Sequence, residues 1–358
     1  MITIDGIVFS LQRHGGVSVY FQHLLRYLAD ERQEVTCVLE EPTVQSSYTS
    51  AHGPTLLRRP ARRLERFRHC RIDDPGTIFH SSFYRLPAAP VKASVVTVYD
   101  FIYERCERGP RLWMQREQKR RAICAAQAVI CISQATKDDL LELVGETPGQ
   151  QIHVIPCGVG EAFRPLSLNP SPVPYVLFVG KRGGYKNFTQ LLHAMAYLPE
   201  LELLCVGGEP VDAEEMNGIP DSVARRVRHL GILCDEELNA MYVRAVCLVY
   251  TSLYEGFGIP VLEAMRAGCP VVAVDCSAVL EVGQDALSVV RDRDPRHMAE
   301  AIRRSASSDR EVMVRRGLEL AQGSSWSERH RLTLDVYRSL STDSQSAPHG
   351  AVSRNPVY

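Results

Sequence analysis

The chain has 358 residues, 45% of them hydrophobic and 23% charged, with a formal net charge of −1. This length exceeds the usual single core and predicts two domains, and the near-neutral charge argues against general nucleic-acid binding, which goes with a basic domain. No apolar run is long enough to cross a bilayer, the first ten residues lack the basic leader of a secretory signal, and eleven cysteines without a C-x-x-C pair predict reduced thiols in a cytoplasm.

The first half of the chain alternates short apolar runs with helical patterns. Strands are predicted at residues 2–9, 34–39, 77–80, 94–98, 128–132 and 153–155, and helices at 17–29, 111–126 and 136–144. Alternation of this kind predicts a parallel sheet with crossover helices. Residues 160–175 are proline-rich and aperiodic, which is typical of a linker. We therefore expect a first domain at residues 1–165.

A second alternation follows, with strands predicted at residues 175–179, 202–206, 247–250, 271–274 and 287–290. It predicts a second doubly wound domain at residues 170–325. Open α/β sheets bind ligands at the carboxyl ends of their strands, so the cleft between the two domains is the expected active site. Residues 341–358 are polar and predict a disordered tail.

Residues 250–268, with the sequence YTSLYEGFGIPVLEAMRAG, predict a strand, a glycine-rich loop and a helix that ends at Gly268. Gly256 and Gly258 allow close approach of a ligand to the backbone, and the free N–H groups of the first helical turn suit a phosphate. A carboxylate would repel that phosphate, so Glu255 and Glu263 are expected to accept hydrogen bonds from flanking hydroxyl groups. The predicted ligand is a nucleotide sugar.

The segment EGFGIPVLEAM resembles the E-x7-E signature of the retaining glycosyltransferases of family 4, which have the GT-B fold. HGGVSVY, CISQATKDDL, VIPCGV and FVGKRGGYKNF are similar to further blocks of that family and stand in its order. A lone E-x7-E is more often a solvated helix start, but the other blocks favour the family. The resemblance implies an α/β GT-B fold of two Rossmann-like domains facing across a cleft, with a C-terminal helix at residues 326–340 packing back on the first domain.

The predicted catalytic residues are Glu255, Arg182, Lys186 and Asp100. Arg182 and Lys186 follow a predicted strand, and we expect them to neutralise the donor diphosphate as negative charge grows on the leaving group. Solvated surface cations are the alternative. Similar enzymes have His-Asp where this chain has Tyr99 and Asp100, which puts the part of that histidine in doubt here. Asp100 is expected either to contact the sugar or acceptor or to cap the following turn.

The predicted donor-binding residues surround these loops. They are Gly15, Gly16, Lys181, Gly207, Gly231, Leu233, Gly256, Phe257, Gly258, Ile259, Pro260, Val261 and Glu263. Gly15 and Gly16 are expected to bring backbone amides to the phosphate from the first domain, and the G-x-G-x-x-G of a dehydrogenase is missing there. The resemblance implies that the loops at Gly207 and Gly231 line the nucleotide pocket, with plain tight turns as the alternative.

Asp292 and Asp294 form a D-x-D sequence, which binds a divalent metal in other glycosyltransferases. Because Pro295 and a helical pattern follow, we expect Asp294 to be a helix N-cap. We predict no required metal and no cofactor.

Residues 56–71 are strongly basic, with Leu64 and Phe67 interleaved. Their seven arginines are Arg58, Arg59, Arg62, Arg63, Arg66, Arg68 and Arg71. Such a segment binds anionic lipid headgroups or a lipid-diphosphate acceptor, or it is a solvated arginine-rich loop. In the first case the protein contacts the inner face of the cytoplasmic membrane peripherally.

The resemblance implies a metal-independent transfer of a hexosyl group, mannose or a related sugar, with retention of configuration. The acceptor is expected to be a glycan or lipid-linked glycan in lipopolysaccharide O-antigen or exopolysaccharide synthesis. A small-molecule glycosyltransferase and a nucleotide-sugar epimerase are the alternative enzymes. The non-enzyme alternative is an inactive GT-B scaffold subunit.

Overall fold

A computed structural model of the protein describes residues 1–12, 15–41, 53–107 and 109–343. The first half contains the strands β1 Ile2–Asp5, β2 Val35–Glu41, β3 Thr55–Pro60, β4 Ile78–Ser81, β5 Ala93–Val98, β6 Ala128–Cys131 and β7 Gln151–Val154. Its helices are α1 Val8–Leu11, α2 Gly16–Asp30, α3 Ile102–Arg105, α4 Pro110–Ala125 and α5 Gln134–Leu143.

The described strands of the first half form one parallel sheet in the order β3-β2-β1-β4-β5-β6-β7. Their residues are mostly valine, isoleucine and other apolar types because helices cover both faces of a sheet of this kind. The strand order reverses between β1 and β4, which is the switch point where α/β sheets bind ligands.

The structure of this half differs from the sequence prediction in two places. The predicted strand at residues 2–9 ends at Asp5, and α1 begins three residues later because Gly6 turns the chain and the Asp5 carboxylate accepts a hydrogen bond from the Ile7 amide at 3.1 Å. Val8 and Phe9 are nevertheless buried. Their apolar character therefore correctly indicated that they lie in the core, although they belong to a helix and not to the strand. The edge strand β3 was not predicted, because its arginines interrupt the apolar run by which the other strands were recognised.

The second half contains the strands β8 Tyr175–Val179, β9 Glu202–Val206, β10 Val227–His229, β11 Leu248–Tyr250, β12 Val271–Val274 and β13 Leu287–Val290. Its helices are α6 Phe188–Ala194, α7 Asp221–Ala224, α8 Asp235–Arg244, α9 Ile259–Ala267, α10 Ser277–Gly283, α11 Pro295–Ala306 and α12 Arg310–Ala321. The strands pair in parallel in the order β10-β9-β8-β11-β12-β13, with the reversal between β8 and β11.

The chain passes between the two sheets twice. The first crossing follows β7, and the second precedes the last helix, α13 Trp326–Asp343; the two crossings meet where Val159 bridges Ser325. As the resemblance implied, α13 packs back on the first half, where Trp326 stacks on His23 of α2 and Tyr337 bonds His80 of β4. Residues 344–358, predicted to be disordered, lie outside the described residues.

Within the described ranges, no helix has the length and apolar character needed to cross a membrane. All eleven cysteines are free, and most are buried.

Candidate active site

The centre of the site is an ion pair between two loops at the carboxyl edge of the second sheet. Lys186 lies in the loop after β8, Glu255 lies in the loop after β11, and these strands are neighbours. The Lys186 Nζ donates to the Glu255 Oε1, and the two side chains are only 17% and 11% exposed. The structure therefore brings together two of the four residues that the sequence predicted to be catalytic.

Two tyrosines hold Lys186 in this position. Its ammonium lies 5.1 Å from the ring centroid of Tyr185 and 5.7 Å from that of Tyr250, and such contacts stabilise a partly buried cation. The backbones of the two loops are also joined, because the Leu253 amide donates to the Tyr185 carbonyl at 2.8 Å and the Thr251 hydroxyl donates to the Lys186 carbonyl at 2.5 Å. The sequence analysis missed both tyrosines, although each flanks a loop that it singled out.

The N-termini of two helices from opposite sheets face each other beside this pair. Gly16 begins α2 and Ile259 begins α9, and a Cβ on Gly16 would lie 3.5 Å from the Ile259 Cδ1. Gly258 has φ +108° as it leads into α9, a conformation that side chains disfavour. Both helix ends are positive ends of a helix dipole, which favours a phosphate. In the first turn of α9, Pro260 has no N–H and the Val261 amide donates to the Gly258 carbonyl at 3.0 Å, so α9 offers fewer free amide donors than α2. Gly15, the N-cap of α2, belongs to the same edge.

The remaining residues of this loop are packed inward. Phe257 and Val261 are buried in the core, and Pro260 is the second residue of α9. Because the side chains of Phe257 and Val261 are enclosed by protein, these two residues fix the backbone of the loop.

The predicted nucleotide pocket lies at the ends of three adjacent strands. Gly207 follows β9 with φ +77°, Gly231 lies two residues after β10 with φ +73°, and the Gly207 amide donates to the Gly231 carbonyl at 2.7 Å. Leu233 is half-buried against the core of the same domain. Lys181, at the end of β8, is exposed. The tight turns predicted as the alternative are present, and they occupy the strand ends where a ligand would bind.

Arg182 is buried, with 7% of its surface exposed, and its guanidinium is fully engaged. It forms an ion pair with Glu215 at 2.9 Å and donates to the carbonyls of Gly207, at 3.3 Å, and Glu209. These contacts tie the loop after β8 to the loop after β9. A direct contact of Arg182 with a diphosphate stays a prediction, and in this arrangement it would require the guanidinium to leave partners that are already well placed.

Glu263 lies one turn into α9, where its carboxylate accepts a hydrogen bond from the Tyr242 hydroxyl of α8 at 3.0 Å. Burial raises the pKa of Glu263 to about 7, and the tyrosine bond offsets only part of that shift. A carboxyl with this pKa is close to half ionised at neutral pH. Its predicted hydrogen bonds to donor hydroxyls would favour the ionised form.

Asp100 follows β5 at the facing edge of the first sheet. Its Oδ1 accepts the Ile102 amide at 3.1 Å, so it caps a turn, as one of the two predicted alternatives required. Burial raises the pKa of Asp100, the charge of Lys119 opposes this, and Glu255 adds to the rise from across the cleft. Asp100 therefore caps the turn and also lies within electrostatic reach of the Lys186 pair.

Tyr99 does not face the cleft as the family histidine does. It is 6% exposed, and its ring packs edge-on to Tyr20 at 5.9 Å between centroids, inside the first half of the chain. The part of Tyr99 near the sugar is therefore limited to its backbone.

The backbone of Tyr99 contacts the glutamate loop directly. A Cβ on Gly256 would lie 1.6 Å from the Tyr99 carbonyl oxygen, and the Gly256 carbonyl accepts the Thr136 hydroxyl at 3.2 Å. Only a glycine fits at this position. The two halves of the chain therefore touch at the residue that follows Glu255.

The D-x-D sequence has the expected structural role. Asp294 is the N-cap of α11 and accepts the Arg296 amide at 2.9 Å, while Asp292 bonds His297 at 2.6 Å. Among the residues that the structure describes, no group of three or more His, Cys, Asp or Glu side chains is arranged to hold a metal ion.

The basic segment is anchored by a buried cluster around Arg85. This arginine contacts Asp5 at 2.6 Å and both Glu40 and Glu65 at 2.9 Å, and Glu65 in turn bonds Arg62 at 2.8 Å. The bond to Arg62 lowers the pKa of Glu65 to about 2. The segment consists of β3 and a short 3-10 turn, so neither predicted alternative, a basic amphipathic patch or a loop, describes it fully.

One large cavity lies away from this site. It has a volume of about 1050 Å³ and lies between the C-terminal end of α9, helix α12 and the first crossing, with Phe163, Arg266, Val314 and Leu318 in its lining. It is at the opposite end of α9 from the facing helix N-termini, so it is not the predicted cleft.

Known proteins resemble this chain in sequence and in fold. The model described as Glycosyltransferase Family 4 matches residues 14–162, and that described as Glycosyl transferases group 1 matches residues 173–308. The O-antigen chain mannosyltransferase B of Escherichia coli is 28% identical over 326 residues, which cover 82% of this chain and 85% of that protein. The serotype-specific mannosyltransferase WbdA of Escherichia coli is 27% identical over 250 residues, 63% of this chain but only 30% of WbdA.

Among solved structures, sucrose-phosphate synthase of Thermosynechococcus elongatus superposes with a TM-score of 0.77 at 21% identity, over 95% of this chain and 98% of that one. The two family models lie one on each sheet, and the second contains both Lys186 and Glu255. The protein is therefore a member of the family 4 glycosyltransferases, with the GT-B fold.

Proposed function

We propose that the protein transfers a hexosyl group, mannose or a close relative, from a nucleoside-diphosphate sugar to a growing surface glycan such as an O-antigen. The observation that carries this proposal is the Lys186–Glu255 pair beside two facing helix N-termini. The relatives named as O-antigen mannosyltransferases support the choice of sugar and acceptor. Residues 1–165 would serve the acceptor and residues 170–325 the donor.

In this proposal the diphosphate binds between the starts of α2 and α9. The Lys186 ammonium leaves Glu255 and contacts the phosphate oxygen on which charge grows as the sugar departs, which lowers the barrier through a preorganised charge. Glu255, freed from that pair, accepts hydrogen bonds from sugar hydroxyls. After this swap the phosphate compensates the charge of Lys186, while the sugar hydroxyls stabilise the Glu255 carboxylate by hydrogen bonding.

We propose further that the configuration at the anomeric carbon is retained. The bond from that carbon to the phosphate oxygen breaks through an oxocarbenium-like state, and the acceptor oxygen bonds to the same face. The departing phosphate oxygen takes the proton of the acceptor hydroxyl, so no separate base is needed. Determination of the product anomer by NMR tests this mechanism, and an inverted linkage would contradict it.

The reaction is proposed to need no metal, because Lys186 and two helix N-termini already supply positive character at the diphosphate site. Turnover measured with EDTA and with added Mg²⁺ should agree. A strict requirement for the ion would refute this part of the proposal and leave the rest standing.

The primary experiment is a thermal-shift panel of GDP-, UDP- and dTDP-sugars, followed by transfer assays with the stabilising donor and mannose-terminated oligosaccharides. A bound donor raises the melting temperature by mass action. Donor turnover without an acceptor would indicate the epimerase. If the unaltered protein binds a donor but turns none over, and Glu255→Ala behaves in the same way, the protein would be an inactive scaffold.

We propose that the basic segment contacts an anionic membrane. Arg63 and Arg68 are exposed, and Leu64 between them is 65% exposed with φ +59° at the tip of the turn. Arg59 and Arg62 pair with the carboxylates of Asp73 and Glu65. Among the described residues, Arg68 donates only to the Arg63 carbonyl, at 2.9 Å, which leaves its charge uncompensated, so Arg63 and Arg68 carry the surface charge. Each cation near such a membrane contributes on the order of 1 kcal/mol.

Sedimentation with vesicles rich in phosphatidylglycerol tests this contact. The double variant Arg63→Glu and Arg68→Glu should lose binding, whereas Arg293→Glu, an exposed charge reversal on the other sheet, should not. Equal binding by all three proteins, or none by the unaltered protein, would reject the membrane contact.

A further inference from the structure

The residues on both sides of Glu255 are held by the other half of the chain. Before it, the Tyr254 hydroxyl donates to Asp139 Oδ2 of α5 and accepts the Phe101 amide at 2.9 Å. After it, Gly256 lies against the Tyr99 carbonyl and bonds Thr136. Glu255 therefore projects from a three-residue stretch whose two ends are fixed by the acceptor-side sheet.

The Tyr254 contact is a well-defined hydrogen-bonding unit. Burial and Asp139 raise the pKa of Tyr254, so its hydroxyl keeps the proton that it donates. Asp139 is itself held by Arg105, whose guanidinium contacts its Oδ1 at 2.6 and 2.9 Å. Arg105 thus fixes the carboxylate that accepts the Tyr254 hydrogen bond.

A second contact aligns the same helix independently. The Glu281 carboxylate of α10 accepts the backbone amides of Gln134 at 2.8 Å and Ala135 at 3.2 Å, which are the first two residues of α5. A carboxylate at a helix N-terminus is favourable, and here it comes from the opposite sheet. Helix α5 is therefore held to the donor side at its first turn by Glu281 and through Asp139 by Tyr254.

We propose that Tyr254 is a positioning residue that places Glu255 relative to the acceptor-side sheet, so that the Lys186–Glu255 pair is aligned for transfer only when the two halves are closed on each other. The inference rests on the proposed function, since it assumes that Glu255 acts on the donor sugar. The inference goes beyond the proposed function because it assigns a role to Tyr254 and Asp139. Their hydrogen bond would couple the closure of the two halves to the position of Glu255.

The first experiment compares Tyr254→Phe with Tyr197→Phe, a matched change at an exposed tyrosine of the donor side. Loss of a hydrogen bond to a carboxylate is expected to lower kcat by about tenfold, while KM for the donor stays within about twofold because Tyr254 does not touch the strand ends around Gly207. Tyr197→Phe should leave both constants unchanged. A purely structural role would instead lower the melting temperature and leave kcat per folded molecule as it was.

The second experiment is a double-mutant cycle with Asp139→Asn. If the two residues act as one unit, the double variant loses no more activity than the more damaging single variant. Single losses that multiply in the double variant would overturn the proposal, as would an unchanged kcat in Tyr254→Phe.

A third measurement needs no substrate. Hydrogen–deuterium exchange of residues 99–103, 133–138 and 252–258 should rise together in Tyr254→Phe and stay unchanged in Tyr197→Phe, because both sides of one contact are released. Faster exchange in only one of these segments would overturn the link. If the unaltered protein transfers no sugar, the proposed function fails, while this exchange pattern still decides whether Tyr254 joins the two halves.

Discussion

Replacing Gly256 by alanine should separate the two halves of the protein at the active site. The added Cβ would lie 1.6 Å from the Tyr99 carbonyl oxygen and 3.2 Å from the Asp100 Cβ. A carbon and a carbonyl oxygen ordinarily approach to about 3.3 Å, so the loop and the end of β5 must part by roughly 1.7 Å. The obstacle is backbone on both sides, which cannot rotate away as a side chain would.

The cost falls on closure more than on the fold of either half. Forcing a methyl group into a packed contact costs about 1–3 kcal/mol, and a displacement near 1 Å at reacting groups can lower the rate about 100-fold. We therefore expect kcat/KM for sugar transfer to fall about 100-fold, with the Lys186–Glu255 pair intact in its own domain. Steady-state kinetics and thermal unfolding together measure both effects.

Gly160→Ala is the matched control. A Cβ at Gly160, in the first crossing, would meet its nearest neighbour at 3.6 Å, an ordinary contact, so activity should be unchanged. A Gly256→Ala protein with the unaltered kcat/KM would refute the reasoning, because it would show that the contact between Gly256 and Tyr99 is not part of the active form.

Three further outcomes follow from the site. Lys186→Met should lower kcat by about 100- to 1000-fold through loss of charge at the leaving group, as measured by steady-state kinetics; a loss under threefold would remove Lys186 from the chemistry. The pKa of Glu263 is raised to about 7 and its ionised form is the better hydrogen-bond acceptor, so donor binding measured by calorimetry should tighten up to about tenfold from pH 6 to pH 8. Glu263→Gln should bind the donor independently of pH. A pH dependence that survives this change would show that Glu263 is not its source. Arg85→Leu strands three buried carboxylates and should destabilise the protein by about 3–5 kcal/mol in urea unfolding, whereas removal of the exposed Arg121 should cost under about 1 kcal/mol; equal costs would contradict the importance of the buried cluster.

Much of the fold could be predicted because its signals are local. The strands β8, β9, β12 and β13 have the predicted bounds, since short, largely apolar runs between turn residues are characteristic of a parallel sheet. The end of helix α9 at Gly268 was also predicted from a local signal. Gly268 has φ +76°, and only glycine adopts that conformation freely. The N-cap at Asp294 could be predicted as well, because its signal is the proline and the helical pattern that directly follow it.

Other features were missed because they depend on what lies opposite in space. The edge strand β3 pairs with β2 although its own residues are largely arginine and leucine in a basic stretch. Arg182 has the sequence context of a phosphate ligand, yet Glu215, 33 positions away in the chain, takes up its charge. Tyr254 adjoins Glu255 in the sequence, but its importance comes from Asp139.

The amino-acid sequence by itself determined the two Rossmann-like sheets, the family, and the presence of a cationic loop and a glutamate loop after two of the strands, since each follows from spacing and side-chain chemistry along the chain. Only the tertiary structure decided that Lys186 bonds Glu255, that Tyr99 turns inward, and that Gly256 and Tyr254 join the halves. The most distant of these contacts in the sequence joins Gly256 to Tyr99, which are 157 positions apart. Their geometry depends on how two separately folded sheets pack together, and no local pattern in a sequence specifies that distance.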